Sequence, residues 1–157
     1  MTDTDGRSHD PGSAAPVGDA AAHYADWVAE LRLHGTRINP KKIIRMTRLR
    51  DGRIAWLEIG SKTAGLAHIL EPAKVDNFER LGTPRERIVD LVFTVIERGR
   101  LIGYHGADRP VYEIVIDGST RRVAVDVSKN GFIVGAHPVG LRRKVRPNRD
   151  RRNFREL

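Results

Sequence analysis

The residue types that could carry chemistry concentrate in the stretch GSKTAGLAHIL, residues 60–70. Lys62, Thr63 and His68 fall within seven residues, between a strand-like run and an apolar-periodic segment. Such a junction can aim several side chains into one pocket, although it can also be an ordinary connection. Histidine is suited to proton transfer because its pKa lies near neutrality. This stretch is therefore the first candidate for a site.

Several catalytic and cofactor-binding patterns are absent from the sequence. With no cysteine, the chain has no thiol nucleophile, no disulfide and no cysteine zinc site. There is no GxSxG, GxGxxG, Walker or HExxH pattern. His68, His105 and His137 are far apart and lack the spacing of metal ligands. We expect neither a cofactor nor a metal, which leaves acid–base chemistry by side chains.

RNA cleavage is one reaction that needs only such chemistry, because the 2′-hydroxyl of RNA is its nucleophile. A base must take the hydroxyl proton, an acid must protonate the leaving 5′-oxygen, and cations must stabilise the phosphorane. Candidates for the cations and for a hydrogen-bond donor are Lys62, Arg109, Arg122, Tyr112 and Thr63. His105 and His137 adjoin glycine or proline and are interpreted as loop residues. The inventory permits a ribonuclease but does not demand one.

The charge distribution favours a polyanionic partner. The chain carries a formal net charge of +8. Residues 141–157 hold eight Arg or Lys against Asp150 and Glu156, whereas residues 1–20 are acidic. Basic surfaces attract nucleic acid because phosphate contacts release condensed counterions. We therefore expect RNA as the partner, although a basic tail can also serve solubility alone.

The chain is long enough for one domain with a core and short for two. We expect a disordered acidic N-terminus at residues 1–18, an α+β domain at 19–140 and a basic C-terminal tail at 141–157, which adds affinity only. No window approaches the roughly 18 apolar residues of a membrane helix, and the N-terminus lacks the pattern of a secretory signal. The expected location is the cytoplasm, or a target-cell cytoplasm reached by another delivery route.

The elements that must position the candidate residues begin with a helix, predicted from Asp19 to Leu33. Two strands follow, at 41–49 and 53–60, joined by an Asp-Gly turn signal. A short helix is predicted over residues 66–70, and it resumes after Pro72 toward Phe78. The best-specified helix follows Thr83, the expected N-cap of a capping box with Pro84 and Glu86. Its apolar stripe consists of Ile88, Leu91, Val92, Val95 and Ile96, and it ends at Gly99.

Only strand signals follow that helix, separated by turn-rich segments. Helices first and hairpins afterwards predict an α+β fold, with helices packed on one face of an antiparallel sheet. In RRVAVDVS, Val123, Val125 and Val127 should face the helices, while Arg122 and Asp126 face away. Tyr112 shares its face of the sheet with Ile114 and Ile116.

Three stretches in order resemble the ribonuclease toxin domains of the barnase–EndoU–colicin–RelE-like group. They are GRIAWLEIGSKTAGLAHIL, GYHGADRPVYEIVIDGSTRRVAV and SKNGFIVGAHPV, within residues 43–139. The closest likeness is to C-terminal domains of contact-dependent and phage-associated polymorphic toxins. The pieces that match the family pattern are residues 65–69, 109–113 and 130–138.

The resemblance implies metal-independent cleavage of RNA, often tRNA, on the sheet face of an α+β domain. By position it implies that His68 is a catalytic acid–base residue, with Arg109 and Tyr112 beside the scissile phosphate and Lys62 in support. The residues expected to contact RNA around them are Thr63, Arg122, Ser128, Lys129 and Asn130. Relatives often carry a second histidine where this chain has Ala73. The candidates to replace it are His105, Lys62 and Lys74.

A toxin implies that the producing cell holds an inhibitor, expected to be an acidic immunity or antitoxin protein. Two other functions remain open from the sequence. One is a non-catalytic RNA-binding module derived from such a toxin, and the other is a protein-interaction domain such as a phage appendage.

Overall fold

The computed structural model describes residues 18–150, with side chains from residue 20 onward. The helices are α1 (Gly18–Ala22), α2 (Tyr24–Leu33), α3 (Leu66–Ile69), α4 (Pro72–Arg80) and α5 (Ile88–Arg98). The strands are β1 (Ile43–Arg48), β2 (Ile54–Glu58), β3 (Arg100–His105), β4 (Arg109–Ile116), β5 (Ser119–Val127) and β6 (Ile133–Pro138). The predicted α+β class is confirmed. Apart from Gly18, the N-terminus expected to be disordered lies outside the described residues.

The strands form a four-stranded antiparallel sheet in the order β3-β4-β5-β6 and a two-stranded ribbon of β1 and β2. The ribbon joins the edge of the sheet where the Trp56 N–H donates to the Gly131 carbonyl at 3.0 Å. Gly131 has a φ of +101°, and a Cβ there would lie 1.9 Å from the Ile54 carbonyl oxygen. Only glycine permits this approach, so the junction between ribbon and sheet depends on it.

The core lies between α3–α5 and one face of the sheet. All five residues of the predicted α5 stripe are buried. On the sheet side Val123 and Val125 are fully buried and Val127 packs against the same core, which confirms the predicted inward face. Helix α2 packs separately on the ribbon, where Val28 and Leu31 meet a second core cluster.

Two helix boundaries differ from the prediction. The first helix is divided at His23, which is a turn between α1 and α2. The predicted capping box at Thr83 does not form. Pro84 is extended, with a ψ of 158°, and a 3₁₀ turn at Arg85–Arg87 precedes α5. Thr83 instead closes the turn after α4, because its N–H donates to the Phe78 carbonyl at 2.8 Å.

Residues 139–150, which we call the strap, cross the face of the sheet opposite the helices. Val139 and Val145 pack on Val111 and Ala124 of that face. The strap then bonds to β3, since Tyr104 and Arg146 exchange N–H···O bonds of 2.7 and 2.9 Å. The described part of the basic C-terminal segment is therefore packed on the sheet. Among residues 18–150, no helix is long and apolar enough to cross a membrane.

Candidate functional site

Strand pairing brings three polar side chains to the face of the sheet opposite the helical core. Ala124 pairs with both Val111 and His137, and paired residues project to the same side of a sheet. Arg109 lies two residues before Val111 in β4 and pairs with His105 of β3. Because side chains alternate along a strand, His105, Arg109 and His137 share this face.

The two sheet histidines lie in contact range of each other. The ring centroids of His105 and His137 are 5.8 Å apart, with an angle of 61° between the ring planes. The Nδ1 atom of His105 is buried, and it has no hydrogen-bond partner within the described part of the chain. A buried nitrogen without a partner is costly in a native protein and can mark a position for a ligand.

His68 reaches the same face from α3, at the side of the sheet where β6 is the edge strand. A Cβ added to Gly135 would lie 3.1 Å from the Cδ2 atom of His68, so the ring sits directly on that glycine. Gly135 pairs with Asp126 and stands two residues before His137 in β6. Its side of the strand is therefore the side of His137.

Hydrogen bonds fix the orientation of the His68 ring. Its Nδ1 lies 2.7 Å from the Lys62 carbonyl oxygen and 3.1 Å from Oε1 of Glu71. Since a carbonyl can only accept, Nδ1 carries the hydrogen. Nε2 then accepts from Nζ of Lys74, at 3.0 Å. We call His68, Lys74, His105, Arg109 and His137 the histidine cluster.

Burial and positive charge hold the pKa of His137 down, to about 4. Burial is the largest cause, followed by the charges of Arg109, His105, Lys74 and Arg143. Burial also lowers the pKa of Lys74, while Glu71 opposes this shift and Arg109 adds to it. His137 is consequently a neutral imidazole at pH 7, and cations surround it.

Of the four residues predicted to be catalytic, the structure brings His68 and Arg109 into this cluster. Lys62 contributes its carbonyl oxygen to His68, and its own side chain is exposed. Tyr112 is not brought together with them. It pairs with Val123 and packs against the helical core, on the other face of the sheet, and burial raises the pKa of its hydroxyl. The expectation that Tyr112 lies beside Arg109 is corrected by the alternation of β4.

The residues predicted to contact RNA lie outside the cluster. Arg122 is bonded to Glu113 at 2.8 Å and to the Leu141 carbonyl at 3.2 Å, which ties it to the strap. The hydroxyl of Thr63 is exposed and lies 3.2 Å from that of Ser61.

Ser128, Lys129 and Asn130 form the turn between β5 and β6. The Phe132 N–H donates to Ser128 Oγ at 3.1 Å and to Asn130 Oδ1 at 3.2 Å, so these two polar side chains stabilise the turn. Together with Arg37 the turn borders a groove of about 560 Å³. Its lining includes none of the cluster residues.

Sequence reasoning misplaced two members of the cluster. His105 and His137 were interpreted as loop residues because glycine or proline adjoins them, but both lie within strands. His105 and Lys74 had been considered only as replacements for a missing histidine. The available signal was positional, since His105 and His137 end the strand-like runs LIGYH and GFIVGAH.

Within residues 18–150, no three His, Asp or Glu side chains are arranged to hold a metal ion. The chain matches no family model, and no curated protein is significantly similar to it in sequence.

Proposed function

We propose that this protein is a metal-independent endoribonuclease with toxin character, which acts in the cytoplasm on tRNA or another structured RNA. The observation that carries the proposal is the histidine cluster. Three histidines from α3, β3 and β6 meet a lysine and an arginine on one face of the sheet. This set contains a base, an acid and the cations that cleavage by a 2′-hydroxyl needs.

His68 is the base in this proposal. Its Nδ1–H is held by the Lys62 carbonyl, with the Glu71 carboxylate 3.1 Å away to stabilise the imidazolium that forms. In the free protein the Lys74 ammonium donates a hydrogen bond to Nε2 of His68. An incoming phosphate attracts the Lys74 ammonium, which frees Nε2 to take the proton of the 2′-hydroxyl. His68 is therefore oriented before the substrate arrives.

The leaving group is protonated from the other side of the cluster, where His105 and His137 lie. The proton reaches the 5′-oxygen as its bond to phosphorus breaks and the 2′-oxygen bond to phosphorus forms. The products are a 2′,3′-cyclic phosphate and a 5′-hydroxyl. Arg109 and Lys74 stabilise the negative charge of the phosphorane between the two histidine positions.

The test is to incubate the purified full chain with total tRNA in EDTA. We expect discrete fragments that end in a 2′,3′-cyclic phosphate. Intact tRNA that shifts on a native gel would instead indicate the non-catalytic RNA-binding module. Intact tRNA without a shift would contradict both functions.

His68→Gln identifies the catalytic residue within that assay, and His34→Gln is its matched control. His34 is exposed at the C-terminal end of α2, outside the cluster. We expect His68→Gln to lower kcat by roughly a hundredfold, with RNA binding retained, because one acid–base group contributes about that factor. His34→Gln should cleave at the original rate, and equal rates for the two variants would contradict the role of His68.

Toxin character predicts that a host expressing the chain alone stops growing. We further propose that an acidic immunity or antitoxin protein binds the basic surface, because electrostatic steering gives fast association with a net charge of +8. Unhindered growth with active enzyme present would contradict the toxin character, while the ribonuclease activity would still stand.

A further inference from the structure

His137 is a half-buried imidazole, and groups from four other parts of the fold lower its pKa. The groups that act on it are Arg109 of β4, His105 of β3, Lys74 of α4 and Arg143 of the strap. Lys74 is itself bonded to His68 of α3. The acidic groups nearby are Glu71, which lies 3.8 Å from Lys74, and Asp126 of β5, which projects from the same face two residues from the partner of His137.

The groups whose charges act on His137 all lower its pKa, and the nearby Glu71 carboxylate is already engaged with Lys74 and His68. The buried Nδ1 of His105 also lacks a partner in the described structure. Donors from four elements near one imidazole, with a buried unpartnered nitrogen among them, have the composition of a site for a tetrahedral oxyanion.

We propose that Lys74, His105, Arg109 and Arg143 together bind the phosphate group of the RNA strand, and that His137 takes up a proton when this anion arrives. The inference rests on the proposed function and identifies the general acid within it. The proton comes from solvent on binding and passes to the 5′-oxygen when the bond from phosphorus to that oxygen breaks. The proton of the 2′-hydroxyl goes to His68, so the step is balanced.

The physical cause of the uptake is the change in sign of the local potential. In the free protein burial is the largest cause that holds the pKa of His137 to about 4, and Arg109, His105, Lys74 and Arg143 lower it further. A bound anion offsets those charges and adds an opposite charge in contact, which raises a histidine pKa by roughly one to three units. His137 therefore remains neutral without substrate and becomes an acid only in the complex.

Sulfate is the probe that tests this site without RNA, because its charge stays constant over the pH range used. The full chain, labelled at its histidine rings, is titrated by NMR with and without saturating sulfate. We expect the His137 midpoint to move from about 4 up by roughly two units. By linkage, the affinity for sulfate should then fall roughly tenfold between pH 5 and pH 7.5.

Two adjacent arginines supply a matched pair of variants. Arg142 and Arg143 are neighbours in the strap and are both exposed, but only Arg143 perturbs His137. Arg143→Gln should weaken sulfate binding and reduce its pH dependence, while Arg142→Gln should change neither. In His137→Gln the pH dependence should be strongly reduced even where sulfate still binds.

An unchanged His137 midpoint in saturating sulfate would overturn the inference, as would equal effects of the two arginine variants. These outcomes are separable from failure of the proposed function. If the protein cleaves RNA in EDTA but the His137 midpoint does not respond to sulfate, the ribonuclease proposal stands and the anion-linked acid is refuted. If the His137 midpoint responds to sulfate but the protein never cleaves RNA, the anion site stands and the proposed catalysis is refuted.

Discussion

Gly135→Ala is the substitution that tests the position of His68 with the least change in chemistry. An added Cβ would stand 3.1 Å from Cδ2 and 3.5 Å from Nε2 of His68. The first distance is tighter than an ordinary contact, so the ring must move by a few tenths of an ångström. Its Nδ1 is held at 2.7 Å from the Lys62 carbonyl and its Nε2 at 3.0 Å from Lys74. Any such movement therefore strains one of these two bonds.

The expected effect on the rate follows from this displacement. A misplacement of about 1 Å can lower a rate by roughly a hundredfold, so a few tenths of an ångström should lower kcat by roughly threefold to tenfold. The fold should tolerate the change, because the backbone at Gly135 does not require a positive φ and replacing glycine by alanine restricts the unfolded chain. We expect the free energy of unfolding to change by less than about 1 kcal/mol.

The assay is the saturated rate of tRNA cleavage in EDTA, with thermal unfolding measured in parallel. Gly140→Ala is the control, because a Cβ at Gly140 meets no atom within 4 Å. It should leave both the rate and the stability unchanged. Wild-type cleavage by a folded Gly135→Ala protein would refute the reasoning that the ring position of His68 limits catalysis, and so would equal losses in the two alanine variants.

Two further predictions concern stability. Because the pKa of His137 is lowered to about 4 in the folded protein, the unfolded chain binds more protons at this residue between about pH 6.5 and pH 4. Stability from this residue is therefore complete above pH 6.5 and is lost as the pH falls through that window. We expect the free energy of unfolding to fall by about 1–2 kcal/mol through this window, allowing for solvent screening at a partly exposed site. Urea unfolding at pH 7 and pH 4.5 should therefore show a smaller loss in His137→Gln than in the wild type. A chain that stops at Gly140 loses Val145 and the two bonds between Tyr104 and Arg146, so its melting temperature should fall by several degrees, a change of roughly 1–2 kcal/mol. A chain that stops at Asp150 keeps these contacts and should melt at the original temperature, and equal melting of the two truncated chains would contradict the packing role of the strap.

The strands and most of the helices could be predicted from local patterns. Alternation in RRVAVDVS placed Val123 and Val125 toward the core, and the 3.6-residue spacing identified the buried stripe of α5. The capping box at Thr83 failed because Thr83 closes the turn after α4 instead. Local signals describe what a segment prefers, and here the hydrogen bond that ends α4 and the extended backbone of Pro84 place the start of α5 later than the capping box predicts.

The candidate site was predicted only in part, for a related reason. His68 and Arg109 were selected from the sequence, and the structure brings them to one face. Tyr112 was selected with them as a hydrogen-bond donor and through the family resemblance, but the odd spacing of Arg109 and Tyr112 turns their side chains to opposite faces of β4. Whether these residues act on RNA stays a prediction.

By itself, the sequence determined which segments become strands and helices, the inward face of β5, and the high positive charge. These properties depend on neighbouring residues or on composition, so they can be read without knowing the partners of a strand. The register of the sheet, however, arises from contacts between distant segments. It alone placed His105, Arg109 and His137 on one side. The packing of α3 against β6 added His68, and that of the strap added Arg143. A shift of one residue in that register would have sent the sheet histidines to opposite faces, because side chains alternate with a period of two.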